Sequence, residues 1–185
     1  LYRIEPGNDL TFTPWPDWQE DIGQDWAGWS HDQLAALFTD MDELTLQPPE
    51  NQTTYKLSYY VHRMEALKAI ADAVRDRLDA YDVRVSVISS IDEVAGVGLV
   101  DILPERATKL HAVKFLMTKL GINRSRVVYA GDSGNDLPAL TSGLQAILVK
   151  NAGDEVREEA VEIVYEKGQR ALLYLAEGNF MGLNG

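Results

Sequence analysis

The sequence contains no cysteine, which removes disulfide frameworks, thiolate nucleophiles and every zinc or iron–sulfur site built on cysteine ligands. Any metal the chain holds must therefore be held through oxygen or histidine. Long apolar runs are also missing. Stretches such as residues 127–130 and 146–149 fall far short of the ~20 residues a membrane-spanning helix requires. No secretory leader is legible, so a cytoplasmic location is the default expectation. Positive charge is in short supply, with 17 lysines and arginines against 29 acidic residues and a formal net charge of −12. Such a field repels phosphate backbones and anionic membrane surfaces, so neither nucleic acid nor membrane is an expected partner. A small anionic substrate stays compatible, because a cation and a few backbone N–H groups can set the potential inside a cleft. Histidine is sparse too. His31, His62 and His111 fall on separate elements and are assigned no catalytic role.

What is present is 45% hydrophobic residues, enough for one core or two small ones. Residues 9–29 are rich in tryptophan and proline. They read as an irregular lead-in, with Trp15, Trp18, Trp26 and Trp29 as packing groups. Ser30 with Gln33 forms a capping box that starts a helix near His31, carrying Leu34, Leu37 and Phe38 and stopping before Pro48-Pro49. A strand is expected at 55–62. An amphipathic helix follows on Met64, Leu67, Ile70, Val74, Leu78 and Tyr81, then strands around 83–87 and 99–103. These pieces predict a small α/β layer over residues 1–104. From Thr108 the pattern becomes alternating helix and strand, the signature of a parallel sheet. A helix carrying Leu110, Val113, Leu116, Met117 and Leu120 stops at Gly121. Strands are expected at 126–130, 144–149 and 163–165, with helices from Asp136 to Gly143, over 154–160 and over 170–175.

The residues Gly131-Asp132-Ser133-Gly134-Asn135-Asp136 fall where a buried strand should end and a helix begin, the place where open parallel sheets bind ligands. Two carboxylates four residues apart, Asp132 at the strand tip and Asp136 at the helix start, can face one hard cation such as Mg2+. The glycines permit the tight turn and let backbone N–H groups approach an anion. An EF-hand loop is a poor fit, because its sixth position needs glycine and Leu137 stands there. An ordinary polar loop with Asp and Gly as turn and cap residues fits the spacing equally. Lys109 opens the preceding helix and can reach the same sheet edge, a position suited to phosphate. Taken alone it reads as a solvated surface lysine. Nearer the start, Glu50, Asn51 and Lys56 gather hydrogen-bonding groups beside aromatic faces, as sugar recognition requires. Singly, each also reads as a polar loop or strand-edge residue.

The run from Gly131 to Leu137, preceded by Lys109, closely resembles the last two motifs of haloacid dehalogenase (HAD) superfamily phosphatases. Trp15-Pro16-Asp17-Trp18-Gln19, Lys56-Leu57-Ser58-Tyr59, Asp101-Ile102-Leu103-Pro104 and Val149-Lys150-Asn151-Ala152 look like segments of the sucrose-phosphatase subfamily, in the same order. The resemblance implies an α/β fold. Residues 105–185 would be part of a Rossmann-like parallel-sheet core, and residues 1–104 mainly an α/β cap that selects the substrate. It implies Mg2+-dependent hydrolysis of a phosphorylated sugar, sucrose-6-phosphate to sucrose and phosphate. A mannosylfructose-phosphate phosphatase is the related alternative, and a non-catalytic sugar- or partner-binding descendant is the alternative from another class. Carried over by position, Asp132 is a direct Mg2+ ligand, and Asp136 holds metal-bound water and orients the lysine. Asn135 contacts the phosphoryl group, Lys109 neutralises its developing charge, and the region of Glu50, Asn51 and Lys56 faces the sugar. One departure is large. The family's nucleophile and general acid/base are two aspartates, two residues apart, ending the first core strand. No segment before the cap holds them here, so about two βα units, roughly 60 residues, are expected to be needed for activity. Asp40-Met41-Asp42 has the spacing, yet it follows a helix and reads as a solvated helix end.

Overall fold

The computed structural model describes residues 1–5, 11–92 and 94–177, and the chain separates into two units, Leu1–Ala107 and Thr108–Gly185. In the first, β1 (Tyr2–Glu5) and β2 (Thr11–Pro14) pair as an antiparallel ribbon. They lead to α1 (Pro16–Gly23), a 3-10 turn over Gln24–Trp26, and α2 (His31–Ala36). The irregular lead-in expected over residues 9–29 is therefore corrected; its first two residues, Asp9 and Leu10, lie outside the described residues. Pro16 stands in the first turn of α1, where its missing N–H costs nothing. Trp18 and Ile22, four apart, bury one face. The aromatic and proline content hid this short helical repeat. Trp15, Trp18 and Trp26 are buried and Trp29 packs against the same core, so the tryptophans serve packing.

The capping box at Ser30 and Gln33 is present in both directions, Gln33 N–H to Ser30 Oγ at 3.2 Å and Ser30 N–H to Gln33 Oε1 at 2.9 Å. After α2 the chain forms β3 (Leu44–Leu46), a strand too short to show an alternation in the sequence. β4 (Leu57–Val61), α3 (Leu67–Asp79), β5 (Val85–Asp92) and β6 (Val97–Pro104) complete the unit. The strands make an antiparallel sheet in the order β3-β4-β6-β5. Helix α3 buries Leu67, Ile70, Ala71, Val74 and Leu78, a three-and-four spacing that places them on one face. That stripe belongs with Leu57, Tyr59, Val61, Val100 and Ile102 of the sheet. Each such aliphatic side chain contributes about 1.5–3 kcal/mol when fully buried. Alternation along β6 sends Val100 and Ile102 into this core and Asp101 to the other face, where Ser58 is its cross-strand partner.

The second unit opens with α4 (Lys109–Leu120), capped by Thr108, whose side chain accepts from the His111 N–H at 3.1 Å. It closes at Gly121, whose φ of 63° is the left-handed value a helix C-terminus favours in glycine. There follow β7 (Val128–Gly131), α5 (Leu137–Leu140), β8 (Gln145–Leu148), α6 (Asp154–Glu166) and β9 (Leu173–Leu175). The strands form the expected parallel sheet in the order β7-β8-β9. Leu140, Ala146, Leu148, Ala160, Val164 and Leu173 make its core. Two expectations are corrected. The strand placed at 163–165 is the last part of α6, and the helix placed at 170–175 is a 3-10 turn over Arg170–Leu172 followed by β9. Ile163-Val164-Tyr165 has strand-like composition. The repeat Val156, Ala160, Val164, at intervals of four, instead puts one stripe of a continuous helix on the core. Among the described residues no helix is long and apolar enough to cross a membrane.

Candidate active site

Strand β7 ends at Gly131, and the chain turns through Asp132 and a 3-10 turn over Gly134–Asp136 into α5. The turn folds the Asp136 side chain back beneath the strand tip. A Cβ at position 131 would lie 2.6 Å from both Cβ and Cγ of Asp136, so only glycine permits that approach. Asp136 is 2% exposed, and a carboxylate so buried needs donors on both oxygens. It has them. Oδ1 accepts from Lys109 Nζ at 2.7 Å and from the Tyr129 hydroxyl. Oδ2 accepts from Ser133 Oγ at 2.8 Å and from the N–H groups of Asp132 and Ser133, each at 3.2 Å. Burial alone would raise the carboxyl pKa. The hydrogen bonds from Lys109, Tyr129, Ser133 and the Asp132 N–H together prevail and hold it well below the usual carboxylate range. The Tyr129 phenol is pushed above its ordinary value, first by burial and then by its bond to the Asp136 carboxylate.

Asp132 contrasts with Asp136. It is exposed, and among the described residues its side chain takes one hydrogen bond, from Asn151 Nδ2 to Oδ2 at 2.8 Å. Five donors surround the Asp136 carboxylate, which holds it in place. Asp132 keeps an oxygen available to an incoming cation. Asn135 stands exposed on the same turn, and the Lys109 side chain is 54% exposed, so one side of its ammonium meets Asp136 and the rest meets solvent. The second unit thus brings Lys109, Asp132, Asn135 and Asp136 to the carboxyl edge of its sheet. Among the described residues no group of three or more His, Asp or Glu is arranged to hold a metal.

The other three candidates lie in the first unit. Glu50 and Asn51 sit on the 3-10 turn Pro49–Asn51, with Asn51 Nδ2 donating to Gln47 Oε1 at 3.0 Å. Lys56 Nζ is 3.3 Å from Asp101 Oδ1, which also accepts from Ser58 Oγ at 2.6 Å. Asp40 pairs with Arg77 in the turn after α2 and not at a strand tip. Sequence reasoning gave no role to Tyr129, Asn151 or Asp101. Asn151 and Asp101 stood within segments already singled out, whereas Tyr129 looked like one more strand residue.

Comparison with known proteins follows the same lines. A family model described as sucrose-6F-phosphate phosphohydrolase matches residues 4–182. A protein of Nitrosococcus oceani named only as a HAD-like hydrolase is 51% identical over 186 residues, covering 100% of this chain and 49% of that protein. Sucrose-phosphatase 1 of Nicotiana tabacum is 34% identical over 118 residues, 62% of this chain and 26% of its own length. The chain therefore spans half or less of the length of these curated relatives. The X-ray structure of the sucrose-phosphatase of Synechocystis sp. PCC6803, in complex with sucrose and phosphate, is similar with a TM-score of 0.63 at 25% identity. It is matched over 95% of this chain and 64% of that one. A haloacid dehalogenase-like hydrolase of Bacillus subtilis, with a TM-score of 0.54 at 19% identity over 90% of this chain and 65% of that one, shares the fold.

Proposed function

Because the chain belongs to the sucrose-6F-phosphate phosphohydrolase family of the HAD superfamily, we propose that the whole protein is a Mg2+-dependent phosphatase acting on a phosphorylated sugar, sucrose-6-phosphate first among candidates. The observation that carries the reading is the Lys109–Asp136 pair at 2.7 Å beside the exposed Asp132 carboxylate at one strand tip. Phosphoryl transfer is catalysed by positioning and charge stabilisation, and this cluster offers both. Asp136 holds Lys109 so that its exposed side can meet the phosphoryl oxygens. Asn135, exposed on the same turn, is proposed to donate to them.

The donor set fits Mg2+, a hard cation commonly bound through one or two carboxylates, several waters and substrate phosphate. Asp132 would hold it, and the metal would supply positive charge to the phosphoryl group. In the first unit, Glu50, Asn51 and Lys56 are proposed to contact the sugar. The first unit would then act as the cap and the second as part of the core. The attacking carboxylate is assigned to none of these residues, and the 185 residues alone are proposed to lack turnover.

The test is phosphate release from sucrose-6-phosphate by the whole protein. Activity is expected to require Mg2+ and to fall by about a hundredfold or more in Asp132→Asn, since a lost metal ligand removes transition-state charge stabilisation. Full activity of Asp132→Asn, or of the unmutated protein in metal-free buffer, overturns the reading.

A further inference from the structure

Tyr129 lies on the strand before the Gly131–Asp136 loop, yet its hydroxyl reaches the buried carboxylate of that loop. It sits on β7 opposite Ala146 and packs against the core of Leu140, Ala146 and Leu148. Its hydroxyl donates to Asp136 Oδ1, the oxygen that also receives Lys109. The two carboxylate oxygens are fixed in different ways. Oδ2 is held by three donors of its own loop, Ser133 Oγ and the N–H groups of Asp132 and Ser133. Oδ1 has only Tyr129 and Lys109 among the described residues.

We propose that Tyr129 is a positioning residue that fixes Asp136 Oδ1 and, through it, the ammonium of Lys109. A carboxylate turns easily about its terminal torsion, which is broad and two-fold. That one torsion moves both oxygens together, so the loop donors on Oδ2 and the phenol on Oδ1 lock it from two sides and present Oδ1 to the lysine as a fixed acceptor. Lysine brings a flexible four-carbon stem and a point charge without the fork geometry of arginine, so its acceptor decides where the charge sits. The phenol is also neutral. It takes part of the negative charge on Oδ1 without placing a second cation beside Lys109, which leaves the lysine's charge available to an anion. Only the kinetic arm of the test below rests on the phosphatase reading.

Tyr129→Phe keeps the ring in the core and removes the hydroxyl. In the 185-residue chain labelled with 15N-lysine, the Lys109 ammonium resonance is expected to shift or broaden in the variant, while methyl signals of Leu140 and Leu148 stay in place. In the whole protein, kcat is expected to fall about tenfold, the value of one hydrogen bond to a charged acceptor. The loss should be equal for a sugar phosphate and a small aryl phosphate, with KM for both within about twofold, because the effect acts on developing phosphoryl charge. An unchanged Lys109 resonance overturns the proposal, including the case in which the melting temperature drops, which would mark Tyr129 as a packing residue. A changed resonance in a protein without phosphatase activity supports the positioning role and removes the phosphatase reading instead.

Discussion

The Asp25 side chain is fully buried, at 0% exposure. It accepts from the Arg106 N–H at 2.7 Å, Arg106 Nε at 3.0 Å and Arg84 Nη2 at 2.8 Å, while its own carbonyl accepts from the Arg84 N–H at 3.0 Å. Asp25 lies on the turn after α1, Arg84 directly precedes β5 and Arg106 follows β6. One carboxylate thus ties the tryptophan-rich segment to the ends of both long strands. Removing one partner of a buried ion pair costs about 3–5 kcal/mol. Here the Arg84 and Arg106 side chains are 56% and 32% exposed and can hydrate once released, so the low end, about 3 kcal/mol, applies to Asp25→Ala. At about 4–8 °C per kcal/mol for a domain of this size, the thermal transition of the first unit should fall by roughly 12–24 °C. Released Arg106 should also become a faster trypsin site, read as cleavage before Ala107. A melting temperature within about 3 °C of the parent, with unchanged cleavage, would refute the reasoning that this carboxylate clamps the strand ends.

Three further outcomes are expected. Burial pushes the Tyr59 hydroxyl up to about 12, so the unfolded chain ionises first. Stability from this group is intact below pH ~10 and is lost between about pH 10 and 12, roughly 2–3 kcal/mol; Tyr59→Phe should flatten that part of an alkaline denaturation curve. Gly131→Ala should displace Asp136, given the 2.6 Å approach, and cut turnover of the whole protein about a hundredfold or more; near-parent activity would show that Asp136 tolerates the shift. Lys56→Ala should weaken sugar-phosphate turnover about tenfold or more relative to a small aryl phosphate, because only the former would use its contact. Equal losses on both substrates would assign Lys56 to folding, and its partner Asp101, 28% exposed and still bonded to Ser58, should cost about 1 kcal/mol of stability when its ion pair is lost.

The elements legible in the sequence were those whose signal was local and long. The Ser30–Gln33 box, the three-and-four stripe of α3, and Thr108 and Gly121 around α4 each specify a boundary or a face from neighbouring residues alone, and the structure places elements there. The misread stretches are short, or composed against their fold. Helix α6 ends in Ile163-Val164-Tyr165, a strand-like triplet in which Val164 is buried and Tyr165 is 77% exposed. Its helical state is decided by the stripe shared with Val156 and Ala160 and by packing on the core, a tertiary effect that overrides propensity. Once α6 runs through to Glu166, only Leu173–Leu175 is left to add the third parallel strand beside β8.

For the site, the loop and its lysine were legible because Gly131 through Asp136 packs turn, carboxylates and cap into six consecutive residues. What surrounds them was not, and the reason is distance along the chain. The Tyr129 hydroxyl reaches Asp136 because the chain turns back after β7 ends at Gly131, and in the sequence Tyr129 is one aromatic in an apolar strand. Asn151 meets Asp132 across 19 positions, and Asp101 meets Ser58 across 43 through the register of β4 on β6. Donors of this kind distinguish two carboxylates that the spacing alone leaves equivalent. Asp136 is buried and held by five donors, an arrangement suited to anchoring Lys109. Asp132 is exposed and takes one side-chain donor among the described residues, which leaves it the more open of the two to a cation. An Asp136→Asn substitution should therefore disturb Lys109 before it disturbs a cation, and Asp132→Asn the reverse. The 15N-lysine spectrum and a Mg2+ titration of the same two variants separate the two roles, and identical responses in both variants would dissolve the distinction.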